Sequence, residues 1–335
     1  RTCRRHLHQY PELSFEEYQT ADFIENKLRE IGIENIQRIA KTGVTFLLEG
    51  WGPGKNIALR ADIDALPILE KNGINYKSKY EGLMHACGHD VHTSCLIGVA
   101  KILSQLKSEF KGSVKFIFQP GEEKTPGGAS LLIKEGILKN PIPKIILGQH
   151  VMPFIEVGKV GFRSGKYMAS SDEIYLTIEG KGGHAAMPEK LVDPVIITSH
   201  ILIALQQIVS RKSSPKTPSV LSFGNISGKG ATNVIPDYVD VAGTLRTFDE
   251  KWRAEALMLI THMAEGIAVS MGAKCKVRIE KGYPYLFNDP AYTDRNRSAA
   301  QEYLGAENIV DLDLWMASED FSFYGQHVPV CFFRL

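Results

Sequence analysis

The chain is poor in cysteine, carries almost no net charge and has no stretch that reads as a membrane span. Its five cysteines (Cys3, Cys87, Cys95, Cys275 and Cys331) are scattered and odd in number, which argues against a disulfide framework and for a reducing, cytoplasmic compartment. Lys and Arg total 39 against 38 Asp and Glu, a formal charge of +1, so there is no electrostatic footprint for nucleic acid or for an anionic membrane. No apolar run reads as long enough to cross a bilayer. Internal repeats and low-complexity segments are absent, and Lys212-Ser213-Ser214-Pro215-Lys216-Thr217-Pro218 is a polar loop. No leader peptide is read, although the chain opens at Arg1 rather than Met. With 44% hydrophobic and 23% charged residues the composition is that of a soluble globular protein, and 335 residues exceed the usual single core, so two domains are expected.

What is present is a set of potential metal ligands. His85-Ala86-Cys87-Gly88-His89-Asp90-Val91-His92-Thr93 packs a thiol, three imidazoles and a carboxylate into eight residues, followed by the apolar helical run Leu96, Ile97, Val99, Ala100, Ile102, Leu103. Cys and His bind borderline-soft divalent ions, and alternate residues such as Cys87 and His89 face the same way in an extended loop. The alternative is a polar loop with Asp90 as N-cap and a buried Cys acting as a small hydrophobe. Strand-like Val114–Phe118 runs into Gln119-Pro120-Gly121-Glu122-Glu123, where Pro and Gly end the ladder. The two acids form either a solvated turn or a pair in which one binds metal and the other acts on water. Lys144–Gln149 ends on His150, and Asn56–Ile63 ends on Asp62 and Asp64. Ligand-type residues thus recur at strand ends, as in open α/β sheets whose sites lie outside the carboxyl ends of the strands.

The rest of the chain reads in two rhythms. Ser14-Phe15-Glu16-Glu17 reads as a capping box opening an amphipathic helix with Tyr18, Ala21, Ile24, Leu28 and Ile31 on one face, closed by Gly32. Strands near 43–49, 56–61, 114–118 and 144–148 alternate with helices to about 106 and over 127–136, an α/β domain with helices on both faces. In the middle, strand Ile174–Ile178 precedes a helix opened by Asp193-Pro194, strands near 219–226 and 238–247, a helix from Asp249 to Met271, and strand Ala273–Ile279. That order is βαββαβ, the split ferredoxin-like pattern, expected as a satellite lid and dimerisation domain over 166–280 inserted in a catalytic domain of 1–165 and 281–335. A helix near 290–304 follows.

Leu59-Arg60-Ala61-Asp62-Ile63-Asp64-Ala65-Leu66-Pro67, the 85–93 block, Gln119–Glu123, Gly183-His184-Ala185-Ala186-Met187-Pro188, Thr232-Asn233-Val234-Ile235-Pro236 and Ser318-Glu319-Asp320-Phe321-Ser322 occur in one order. Together they resemble the aminoacylase/carboxypeptidase family of metal-dependent amidohydrolases, in its branch of hippurate hydrolases, N-acyl-amino-acid amidohydrolases and indole-acetyl-amino-acid hydrolases. The resemblance covers nearly the whole chain. It implies a zinc-peptidase-like mixed sheet and two divalent metal ions, drawn from Mn, Zn, Co or Ni, held by Cys87, His89, Glu123 and His150. It further implies Glu122 as general base, Asp64 orienting a ligand imidazole, and His184, Asn233 and Arg246 binding the small N-acyl amino acid substrate, in a homodimer formed through the satellite. His85 and His92 are assigned no role, and His6 and His8 are read as surface residues. The family also supplies a ligating His after its final strand. Here Val330-Cys331-Phe332-Phe333-Arg334-Leu335 is the last segment and His327, which precedes it, does not match the motif, so either that ligand lies beyond Leu335 or one metal lacks a ligand.

Three other functions compete with this one. Within the same chemistry stands carboxypeptidase or dipeptidase action on short peptides. A cysteine hydrolase built on Cys87 and His89 would leave Glu122, Glu123 and His150 without work. A metal-poor, non-catalytic relative would bind amino-acid derivatives or act as a dimeric scaffold; the missing His argues for it, and an intact Glu122 argues against it.

Overall fold

Val114, Phe116 and Phe118 point to one side of the strand Ser113–Gln119, and Lys115, Ile117 and Gln119 to the other; all six are buried. A strand buried on both faces belongs inside a covered sheet. In the computed structural model, which describes residues 1–335, it is the third of eight strands. Their order is Gln37–Ile39, Gly43–Glu49, Ser113–Gln119, Asn56–Asp62, Ile146–His150, Val330–Arg334, Val160–Phe162 and Ile309–Asp311. The sheet is mixed, as expected: Asn56–Asp62 runs parallel to both Ser113–Gln119 and Ile146–His150, while Gly43–Glu49 is antiparallel to Ser113–Gln119. Three parallel neighbours therefore release their carboxyl ends at one edge, with Asp62 level with Gln119.

Helices cover this sheet. Ala21, Ile24 and Leu28 of Tyr18–Glu30 and Leu96, Ile97 and Ala100 of His89–Gln105 pack with Val44, Phe46, Phe116 and Phe118 in one core. The opposite face, bearing Lys115, Ile117 and Gln119, meets the helix Gly128–Lys134. These elements form one compact unit of Arg1–Tyr167, Phe287–Asp313 and Glu319–Leu335.

The second unit, Met168–Leu286 with Leu314–Ser318, has a four-stranded antiparallel sheet ordered Ser219–Ser227, Tyr238–Thr247, Asp172–Glu179, Lys274–Lys281. With helices Pro194–Gln207 and Glu250–Ser270 it has the βαββαβ order read from the sequence. Ile174, Leu176 and Ile178 share one face and pack against Ile197, Ile201, Leu205, Ile260 and Ala264 of the helices. Both helix starts are capped as the sequence indicates: Asp193 accepts from the Val195 and Ile196 amides at 2.8 and 3.3 Å, and Asp249 from Trp252 at 2.9 Å.

Three expectations need correction. The helix Tyr18–Glu30 has no side-chain cap from a capping box; Glu12 accepts the Gln19 and Thr20 amides instead, at 3.2 and 2.7 Å. The Cys/His helix begins at His89 behind Gly88, whose φ of 87° suits glycine, so Asp90 lies in the first turn and is no N-cap. Finally, Pro194–Lys212, with 19 residues and mean hydropathy 1.2, is long and apolar enough to cross a membrane. Its apolarity is explained by the core of the second unit, where Ile197, Ile201, Leu205 and Ile208 are buried.

Candidate metal and catalytic site

Cys87, His89, Glu123 and His150 come together at the strand tips of the first unit. The tight Gly88 turn puts Cys87 just before the helix and His89 at its first position. His150 closes the strand Ile146–His150, and Glu123 follows the end of Ser113–Gln119. Cys87 Sγ lies 3.3 Å from His150 Nε2, and His89 Nε2 lies 3.8 Å from Glu123 Oε1. Ligand-type atoms of Cys87, His89 and His150 fall within 4.8 Å of one another, as do those of His89, Glu122 and Glu123. The donor set is thus two overlapping triads that share His89.

Each imidazole is turned so that Nε2 faces this space. His89 Nδ1 is 3.1 Å from Asp64 Oδ1, and His150 Nδ1 is 2.7 Å from the Val151 carbonyl. Both contacts require the proton on Nδ1, which leaves the Nε2 lone pair outward, the tautomer a metal ligand needs. His89 Nε2 and Glu123 Oε1 are buried and have no hydrogen-bond partner. Two facing, unsatisfied buried atoms are costly in a protein interior. A cation between them removes the cost, so this thiol, imidazole and carboxylate set fits a divalent metal.

Asp64 supports both halves. Besides His89 it accepts from the Glu123 amide at 2.9 Å and from Ser14 Oγ at 2.6 Å. Asp62, two residues earlier at the end of the strand, bonds His92 Nδ1 at 2.6 Å, while His92 Nε2 accepts from the Val151 amide at 2.9 Å. His92 therefore has no lone pair left for a metal. Its role is to tie the helix to the loop after His150. The sequence assigns His92 no role, and the Asp62-Ile63-Asp64 alternation is the available signal, two carboxylates on one side of a strand end.

Glu122 points into a second buried cluster. The Asp320 amide donates to its Oε1 at 3.4 Å, and carboxylate oxygens of Glu122, Glu319 and Asp320 lie within 4.8 Å of one another. The fully buried Arg60 neutralises part of this charge, donating to Gln119 (2.9 Å), Asp62 (2.7 Å), Glu319 (3.0 Å) and Asp320 (2.8 Å). Arg60 stands in the Leu59–Pro67 motif, yet nothing local marks partners 259 and 260 residues away.

Burial pushes the Glu122 carboxyl well above the usual range, reinforced by Glu319, Asp320 and Glu123 and opposed by His89. Burial lifts Glu123 as well. Burial also disfavours charge on His89, but Asp62 and Asp64 raise it well above its ordinary value, so a proton competes for this nitrogen site. His150 is driven the other way by burial, His92 and Arg334 and stays neutral. The Cys87 thiol is raised by burial, the reverse of an activated nucleophile. That weighs against a cysteine hydrolase.

The other named residues lie in the second unit. His184 pairs with Val234 on a short two-stranded ladder, and the Ala185 amide donates to the Asn233 carbonyl at 3.0 Å, so His184 and Asn233 lie side by side. Arg246, on the strand Tyr238–Thr247, donates to Ser318 Oγ at 3.1 Å and has no carboxylate in ion-pair range. His8, read as a surface residue, is buried and bonds Asp90 (2.8 Å) and Glu70 (3.1 Å). The reason is that its helix, Thr2–Gln9, packs on His89–Gln105.

The sequence profile of peptidase family M20/M25/M40 matches residues 58–335. An N-acetyl-L-cysteine deacetylase of Bacillus subtilis (strain 168) is 44% identical over 329 residues, 98% of this chain and 78% of its own length. An N-acyl-L-amino acid amidohydrolase of Geobacillus stearothermophilus is 42% identical over 285 residues, 85% of this chain and 76% of its own. Among solved structures, a Bacillus subtilis protein described as a dinuclear metal binding peptidase from the M20 family superposes with a TM-score of 0.85 at 36% identity, covering 99% of this chain and 86% of that one.

Proposed function

This chain belongs to peptidase family M20/M25/M40, and on that premise we propose that it hydrolyses the amide bond of N-acyl amino acids. Divalent metal is held by Cys87, His89, Glu123 and His150, and Glu122 is the general base. The observation that carries the reading is the pair of buried, unpartnered atoms His89 Nε2 and Glu123 Oε1, 3.8 Å apart, beside Cys87 Sγ and His150 Nε2. Divalent metal at these donors supplies Lewis-acid polarisation of the amide carbonyl and brings the pKa of water toward neutrality.

The chain's own groups do the rest. Glu122 takes the proton of the attacking water and returns it to the leaving amine nitrogen. Its raised pKa favours holding that proton until the C–N bond breaks, and His89 opposes the shift. Asp64 fixes the His89 ring and the Glu123 backbone together. Arg246 is half-buried and unpaired with any acid, which suits a substrate carboxylate. His184 and Asn233 act with it as substrate-binding residues, a role the motif resemblance supports. Five free thiols, Cys87 among them, support a reducing, cytoplasmic setting.

The reading is tested on N-acetyl, N-benzoyl and indole-acetyl amino acids and on dipeptides, measuring free amine after reconstitution with Mn, Zn, Co or Ni. Acyl amino acids should be cleaved, and chelation should abolish the activity. Cleavage of dipeptides with the acyl substrates inert would replace the reading by a short-peptide carboxypeptidase, and full activity after exhaustive chelation would overturn the metal assignment.

The second unit also belongs to the proposal, as a dimerisation surface. Its helices expose Ile196, Ile203, Met258 and Val269, and Lys274–Lys281 is an edge strand. Light scattering should give a dimer. If His184 serves the partner's site, mixing His184→Ala with Glu122→Gln protein under conditions of subunit exchange restores some activity; an inactive mixture despite exchange would place its role within one subunit.

A further inference from the structure

Ser14-Phe15-Glu16-Glu17 reads as a helix cap, yet none of its side chains caps the helix. Ser14 Oγ, in a buried residue, donates to Asp64 Oδ2 at 2.6 Å. Glu17, fully buried, accepts the Gly121 amide through Oε1 at 2.8 Å and the Thr42 hydroxyl through Oε2 at 2.6 Å. Phe15 adopts a φ of 66°, an uncommon conformation for a bulky residue. Its ring fills the face of Gly121, where a Cβ would stand 2.3 Å from Phe15 Cε1. Gly121 itself has a φ of 59° and immediately precedes Glu122. On the other side, the Gly128 amide bonds the Gly121 carbonyl at 2.9 Å. Backbone strain retained beside an active centre points to a positional requirement.

We propose that Ser14, Phe15 and Glu17 are positioning residues, a brace that fixes the Pro120–Glu123 turn and Asp64 and so aims the Glu122 carboxylate. The brace acts through two routes. Glu17 and Phe15 set the backbone at Gly121, and Ser14 locks the Asp64 carboxylate that in turn holds the His89 ring and the Glu123 amide. None of the three side chains needs to touch substrate. Their effect is on the placement of groups that do, where an error of about 1 Å costs on the order of a hundredfold in rate. The inference rests on the proposed reaction for its kinetic consequence, but its structural consequence stands apart from it.

The test uses the full chain loaded with metal and carrying Glu17→Ala, Glu17→Gln or Ser14→Ala. In Glu17→Ala, kcat per bound metal should fall about tenfold or more with KM within about threefold. Amide exchange over Gly121–Glu123 should rise about tenfold while the strands of the sheet keep their protection. Glu17→Gln retains an acceptor for the Gly121 amide and should restore most of both readouts; Ser14→Ala should slow kcat by about fivefold or more and carries the test if Glu17→Ala fails to fold. Wild-type kcat and unchanged exchange in the folded variants overturn the brace. If the wild type cleaves no acyl amino acid with any metal, yet Glu17→Ala releases the Gly121 amide, the proposed reaction fails and the brace stands.

Discussion

His89 donates at one nitrogen and has no partner at the other, and the same division of labour runs through the site: Asp64 and the Val151 carbonyl orient, while Nε2, Sγ and Oε1 atoms face one another. Both glutamates lie near His89, but only Glu122 also joins the buried Glu319 and Asp320 carboxylates. Glu122→Gln should therefore keep its metal, measured by atomic absorption, while kcat falls by at least about a hundredfold; loss of metal in step with rate would make Glu122 a ligand instead. Glu17 allows a second prediction, on stability. Burial, against the Thr42 hydrogen bond, raises its carboxyl from 4.5 to about 7. The folded state then binds more protons than the unfolded one between those values, so stability falls as pH rises through the window. A shift of that size is worth about 3 kcal/mol, lost in full above pH 7. Glu17→Gln should flatten the urea-midpoint profile between about pH 5 and 7; an unchanged slope would show that another group titrates there.

At the scale of elements, what the sequence makes legible is what neighbouring residues decide. Asp193-Pro194 and Asp249 announce helix starts because the acceptor and the orphan amides are two or three residues apart. Replacing either Asp by Ala should cost about 1 kcal/mol in a denaturant titration, with the sheet and activity otherwise intact. Ser14 and Glu17 obey the same local grammar and are misread by it, since their partners lie 50 and 104 residues away and outcompete the cap. The four ligand-type residues are legible as strand-end punctuation, but their common destination follows from the parallel pairing of Asn56–Asp62 with its two neighbours. Hidden from any local pattern are His8 beneath the Cys/His helix and Arg60 among four partners, because tertiary packing alone creates those contacts.

For the molecule as a whole, metal and fold stability should be one linked quantity. Cys87 with His89, Glu123 and His150 come from three separate segments of the first unit, so divalent metal held among them favours only the folded arrangement. Metal at about a hundred times its Kd adds about 2.7 kcal/mol, and chelation should lower Tm accordingly. The pH dependence has a definite sign. Without metal, His89 has its pKa raised by Asp62 and Asp64 against the cost of burial. That contribution is present at low pH and is lost as pH rises through the folded pKa. Metal takes the place of that proton and also needs the Cys87 thiolate, whose pKa burial has raised. The increment in Tm given by metal should therefore grow as pH rises above about 6.5, where the metal-free protein begins to lose the His89 contribution that metal replaces. Calorimetry of both forms across that range measures the gap directly. A gap that stays constant or narrows with rising pH would mean that the stabilising ion sits on groups other than these.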